Sequence, residues 1–170
     1  MGKGYGYYRI IYVFLSTLLL ALLGIYLLMI KPVWILQRNL WITYTGIAFG
    51  TWGIIIIKRA FEIYDLGEFI GTSYLPDKGT VQNSLKTSGI LSYIRHPLYA
   101  GTLLIAAGFL LIMPSEANLV SVICITIYLL IGIRLEEDKL LTDFGKRYQE
   151  YKNQTPMLFP RISDIFKKKG

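Results

Sequence analysis

Two short polar runs hold the residue types that can do chemistry. The first is Arg95-His96-Pro97-Leu98-Tyr99-Ala100-Gly101, and the second is Arg134-Leu135-Glu136-Glu137-Asp138. Together they offer guanidinium, imidazole, phenol and carboxylate groups, a set able to bind a zwitterionic ligand and to hold or move a proton. They do not suit a metal, because the 170 residues include one His and one Cys, too few for a zinc cage. Pro97 fits the first turn of a helix, where its missing N–H costs nothing, and Gly101 lets a ligand or a second helix come close. The plainer reading makes these ordinary charges at helix ends, with His96 hydrogen-bonded to backbone.

The two runs flank apolar segments 98–113 and 118–133, which are parted only by Pro114-Ser115-Glu116-Ala117. A helical hairpin there brings the polar runs together, because packed helices lie about 8 to 10 Å apart. Two further apolar segments, 10–30 and 40–57, precede them. The first is about 31 Å long as a helix, enough to cross a hydrocarbon core of roughly 30 Å. It is too long for a signal-peptide core and runs into Lys31-Pro32 without a small-residue cleavage site, so it reads as an uncleaved span. In the second, the spacing of Gly46 and Gly50 predicts close contact with another helix. The third and fourth reach only about 24 Å each, so their far ends sit shallow or continue as helix. Stretches 33–38 and 61–70 are further candidates for partial embedding. The expected fold is therefore all-α: one membrane domain over residues 1–170, a polytopic transmembrane helical bundle of about four spans.

Composition agrees, since 54% apolar and 17% charged residues are too greasy for a soluble domain. With four crossings, sixteen of the eighteen Lys and Arg residues fall on one side. Both termini and the 58–97 connection are then expected in the cytosol, in a cell inner membrane or, in a eukaryote, the endoplasmic reticulum. The formal charge of +7 reads as loops facing anionic membrane lipids, not as nucleic-acid binding. Trp34, Trp41 and Trp52 read as interfacial anchors. The connection opens with an amphipathic stretch at 58–65, has turn chemistry at 76–80 and ends in Leu85 to Tyr93. Beyond Arg134, Leu140, Leu141, Phe144, Tyr148 and Tyr151 recur at helical intervals, which predicts an amphipathic C-terminal helix within 134–160. Pro156 and Pro160 end it, and Lys167 to Lys169 form a basic tail. Gly2, Gly4 and Gly6 lack the preceding strand that a nucleotide-binding glycine loop requires.

The first polar run, with Glu136-Glu137-x-x-Leu140-x-x-x-Phe144-Gly145-x-x-Tyr148-x-x-Tyr151 after it, resembles a known paired signature. It is that of the isoprenylcysteine carboxyl methyltransferase and phospholipid methyltransferase families of integral membrane enzymes. The resemblance covers about the C-terminal half of the chain. It implies S-adenosylmethionine-dependent methyl transfer to a lipophilic acceptor that enters from the membrane, either an isoprenylcysteine-type carboxylate or a phospholipid amine. It also implies a cytosol-facing cofactor pocket made by the hairpin ends, the preceding loop and the C-terminal helix. Carried over by position, it gives cofactor contact to His96, Pro97, Leu98, Tyr99 and Glu136, and from the upstream loop to Asn83, Ser84, Leu85 and Lys86. Three positions depart from the pattern: Leu91 stands where a Tyr is frequent, Gly132 where an Arg is frequent, and Pro156 to Arg161 replaces a Pro-Arg pair. The resemblance alone therefore names no single acceptor.

The residues are compatible with that chemistry. S-adenosylmethionine needs an acid for its ammonium, donors for its carboxylate and an aromatic face for its sulfonium. Glu136 or Glu137, Arg95 or His96, and Tyr99 supply those types. The displacement discharges the sulfonium, so a dry pocket that aligns the reacting atoms does most of the work. A carboxylate acceptor is already anionic and needs only a cation, for which Arg134 is the candidate. An amine acceptor needs a base, for which Glu137 and Tyr148 are candidates. Two alternatives stand beside this reading. One is a sterol or steroid double-bond reductase using NADPH, which carries a similar Arg-His-x-x-Tyr pattern. The other is a non-enzymatic membrane scaffold whose charged hairpin ends bind anionic lipid.

Overall fold

The computed structural model describes residues 33–37, 39–63 and 85–161, with positions 11, 14, 15, 17, 18, 21–26 and 29 of the first apolar segment. Those positions of the first segment are helical. The remainder of 10–30, Arg38, the stretch 64–84 with its expected turn, and the basic tail lie outside the described residues.

Among the described residues the regular structure is helical. Helix α1 runs Leu40–Phe61, a 3₁₀ turn covers Gly89–Ser92, and α2 runs Pro97–Ile112. Helix α3 is Glu116–Phe144 and α4 is Lys146–Gln154. Each start has a local cause. The Asn39 side chain accepts from the Trp41 N–H at 3.0 Å, which satisfies one of the orphan amides opening α1. Pro97 occupies the first turn of α2. The Ser115 hydroxyl accepts from the Asn118 N–H at 3.3 Å to open α3, and the Asn118 amide donates to the Met113 carbonyl at 2.7 Å, closing the turn between α2 and α3. Residues 33–35 lie against that turn: Ile35 N–H donates to the Pro114 carbonyl, and Glu116 N–H donates to that of Val33.

Helices α1 and α3 are long and apolar enough to cross a membrane, whereas α2 is apolar but shorter. The Thr43, Thr45 and Thr51 hydroxyls of α1 donate to carbonyls one turn back, so no threonine hydroxyl on this exposed, apolar helix needs a partner from its surroundings. The charged segment after Ile133 does not begin a separate helix. It continues α3 to Phe144, where Gly145 at φ +53° breaks the chain's course before the short α4.

Helices α1 and α2 pack antiparallel with their backbones nearly touching. A Cβ added at Gly46 would lie 2.6 Å from the Gly108 carbonyl oxygen, and one at Gly53 would lie 2.6 Å from that of Gly101. On α1 the positions with no room for a Cβ are Gly46 and Gly53, two turns apart, while the backbones of the expected pair, Gly46 and Gly50, both lie against Gly108. A Cβ at Gly50 would meet nothing within 4 Å, although the Gly50 backbone nitrogen would lie 2.8 Å from a Cβ at Gly108. Where lipid replaces water as solvent, such close approach supplies dispersion contact that hydrophobic exclusion does not. The packing sets the α1 C-terminus and the start of α2 at the same end of the bundle. The expected effect of Gly108→Ala in detergent is therefore a loss of about 1 to 3 kcal/mol of stability, with Gly50→Ala close to neutral. Equal unfolding midpoints for the two variants would contradict this packing.

Candidate active site

The hairpin does bring the polar runs together, and it sorts them into an inner and an outer layer. On α3, Leu129, Ile133 and Glu137 are buried at one-turn intervals, so the carboxylate continues the helix's inward face one turn beyond the end of the apolar run. The Glu137 side chain is only 9% exposed. Its Oε1 accepts from Arg95 Nε at 3.1 Å and from Arg95 Nη2 at 2.7 Å, and lies 3.2 Å from His96 Nε2. Its Oε2 lies 2.7 Å from Lys152 Nζ on α4. Burial alone would raise this carboxyl, but the Lys152, Arg95 and His96 hydrogen bonds and the Arg95 charge outweigh it and hold the group at about 2, against an ordinary 4.5.

The chain after α4 clasps the same spot. Arg95 N–H donates to the Pro156 carbonyl at 2.9 Å and His96 N–H to that of Met157 at 3.0 Å. Arg95 Nη1 donates to the carbonyls of Lys152, at 2.8 Å, and Thr155. The Tyr151 hydroxyl donates to the Leu91 carbonyl at 2.6 Å, and burial pushes that phenol up to about 12. Tyr148 is fully buried between these groups. Its phenol is pushed up first by burial and then by the Glu137 charge, and among the described residues its oxygen has no hydrogen-bond partner within ordinary geometry.

His96 joins the inner layer to the outer one. It caps α2 without a side-chain bond to the helix, so its buried ring faces α3. Nδ1 lies 3.6 Å from Glu136 Oε2, and that carboxylate's side chain is 41% exposed. The Tyr99 ring stands edge-on to the imidazole, 5.6 Å between centroids. It also lies beside Gly132, where an added Cβ would sit 3.4 Å from the Tyr99 ring. A Cβ at Gly132 would thus make ordinary van der Waals contact with that ring.

The other expected site residues fall as follows. Pro97 is buried and Leu98 half-buried at the start of α2. Leu85 and Lys86 are half-buried, with Leu85 on an open cavity of about 340 Å³ also lined by Thr87, Ser92, Arg147, Tyr151 and Thr155. Asn83 and Ser84 lie outside the described residues. Arg134 is exposed on α3, one residue past the apolar run. Lys152 was not expected here; its four-residue spacing from Tyr148 was the only signal that it shares the inward face of α4.

A family model described as phospholipid methyltransferase matches residues 39–147, from the cap of α1 to the start of α4. The chain belongs to the phospholipid methyltransferase family. Within it, the chain is 33% identical to a methanethiol S-methyltransferase of Crocosphaera subtropica, over 71% of this chain and 47% of that protein. It is 30% identical to methanethiol S-methyltransferase 1 of Bradyrhizobium diazoefficiens, over 72% of this chain and 43% of the relative. Human protein-S-isoprenylcysteine O-methyltransferase is 26% identical over 76% of this chain and 45% of its own. The chain spans about half the length of these relatives. No solved structure matches it significantly.

Because the Glu137 carboxyl is lower when folded than when unfolded, the stability it contributes is complete above about pH 4.5 and is lost as pH falls through about 2. The unfolding midpoint in detergent should fall across that window, and Glu137→Gln should flatten the fall. Equally steep profiles for parent and variant would show that the carboxylate does not hold the clasp.

Proposed function

We propose that this chain is an S-adenosylmethionine-dependent methyltransferase of a membrane, acting at the cytosolic end of a bundle of about four spans. The observation that carries the reading is the convergence of His96, Tyr99 and Glu136 at one end of the hairpin, with the imidazole 3.6 Å from the Glu136 carboxylate. The donor set fits the cofactor. Glu136 is the partly exposed acid for an ammonium, Tyr99 offers the ring for a sulfonium, and His96 stands between them. Bound there, S-adenosylmethionine would supply an electrophilic methyl group. Arg95 and Glu137, considered above for the same contacts, are spent on each other and on Lys152, so they hold the pocket's wall in place of touching the cofactor.

The acceptor we propose is lipophilic, reaches the site from the membrane and arrives already anionic. Glu137, held at about 2 and bonded to three side chains, is a poor proton acceptor. The Tyr148 phenol is raised and stays neutral. Neither of these two candidate bases thus serves an amine acceptor, while a carboxylate, ionised at neutral pH, needs none. Arg134, exposed at the edge of the apolar run, is our candidate to meet such an anion. The name of the human relative, which acts on an isoprenylcysteine group, fits this class, whereas the methanethiol named for the other two is a thiol that must first lose its proton. These names lend no support to the reductase alternative.

Calorimetric titration of the detergent-purified chain with S-adenosylmethionine and with NADPH tests the reading. Only the sulfonium cofactor should bind. Glu136→Gln should lose at least about tenfold in affinity with little change in unliganded stability, because the lost contact is charge-assisted and the side chain is half in solvent. Parental affinity in Glu136→Gln would misplace the site. Labelled methyl transfer should then favour prenylated carboxylates over phospholipid amines.

A further inference from the structure

Lys152 lies beyond residue 147, where the family match ends, yet it grips both partners of the buried ion pair. Its backbone carbonyl accepts from Arg95 Nη1 at 2.8 Å, and its ammonium lies 2.7 Å from Glu137 Oε2. With Oε2 held by Lys152, the carboxylate turns Oε1 toward Arg95 and toward His96 Nε2 at 3.2 Å. An ionised carboxylate only accepts hydrogen bonds, so the hydrogen shared between Nε2 and Oε1 belongs to the imidazole. The groups facing Glu137 are Arg95 and His96 from the segment before α2, and Tyr148 and Lys152 from α4. Of these, Lys152 alone ties α4 directly to the carboxylate through a full charge.

We propose that Lys152 is a positioning residue that fixes the tautomer of His96, keeping the proton on Nε2 and leaving Nδ1 as a lone-pair acceptor beside Glu136. The consequence rests on the cofactor reading above. An acceptor nitrogen 3.6 Å from a carboxylate oxygen makes a site for an ammonium, which has three hydrogens to donate. The opposite tautomer would place an N–H there, aimed at the carboxylate and in competition with that ammonium. The low value of the Glu137 carboxyl agrees, since it keeps the carboxylate ionised through the neutral range.

The chain has a single histidine, so the tautomer can be read directly. The full chain, labelled with ¹⁵N-histidine and held in detergent micelles at mildly alkaline pH, should show one protonated Nε2 and one unprotonated Nδ1. Lys152→Met should blur this pattern into exchange between tautomers and weaken S-adenosylmethionine binding by about tenfold or more, as losing the partner that orients a metal-binding imidazole weakens metal binding. Lys152→Arg should restore both, and Lys146→Met, an exposed site on the same helix, should alter neither. A proton on Nδ1 in the parent overturns the proposal, and so does a parental spectrum in Lys152→Met. If Lys152→Met fails to fold, the parent spectrum and Lys152→Gln decide. The expected spectra together with no cofactor binding by the parent would support the tautomer and sink the cofactor reading.

Discussion

A carboxylate removed from water must be matched by cations and donors, and Glu137 is matched from two separate parts of the chain. An unpaired charge at that depth would cost several kcal/mol, and removing one partner of such a pair leaves the other just as exposed to the penalty, about 3 to 5 kcal/mol. The match needs Arg95 and His96 at the start of α2 and Lys152 on α4, while Glu137 itself ends the inward face of α3. No two of these elements can drift without uncovering a charge. The backbone clasp of residues 155–157 on Arg95 and His96 follows from the same demand, because the guanidinium has more donors than one carboxylate can take.

That constraint divides the labour at the hairpin's end. The inner charges satisfy each other and are poor reagents: the acid is held too low to act as a base, and the buried phenol is held too high to lose its proton. The outer groups, the partly exposed Glu136 and the half-buried Tyr99, lie beside an imidazole whose far side is bonded inward. On the proposed cofactor reading, a ligand would meet side chains that the inner layer has already oriented, with little ordering left for binding to supply. The glycine contacts between α1 and α2 serve the same end, since they fix α2, and with it the position of residues 95–99, against a helix long enough to cross a membrane.

Much of this was legible in local pattern. Apolar runs at 40–57 and 98–113 foretell α1 and α2, and the four-residue turn after Met113 foretells the hairpin that unites the polar runs. The rest depends on partners distant in sequence. Nothing in the spacing of Gly46, Gly50 and Gly53 says which of them has no room for a Cβ; that depends on Gly101 and Gly108 across the interface. The polar residues after Ile133 suggested a new amphipathic helix, but Glu137 can be buried in a continuous α3 once Arg95 and Lys152 supply charge, and only Gly145 stops it. Arg95 reads from its sequence as a ligand-holding cation and is instead consumed within the fold. Lys152 carries no local mark beyond its distance from Tyr148.

The central claim is that Arg95 and Glu137 act as one unit, and a double-mutant cycle measures it most directly. Reversible unfolding of the parent, Arg95→Gln, Glu137→Gln and the double variant in one detergent gives the coupling energy. The account predicts coupling of about 2 kcal/mol or more, with the double variant less damaged than the single effects together imply. Effects that add to within about 0.5 kcal/mol would contradict it.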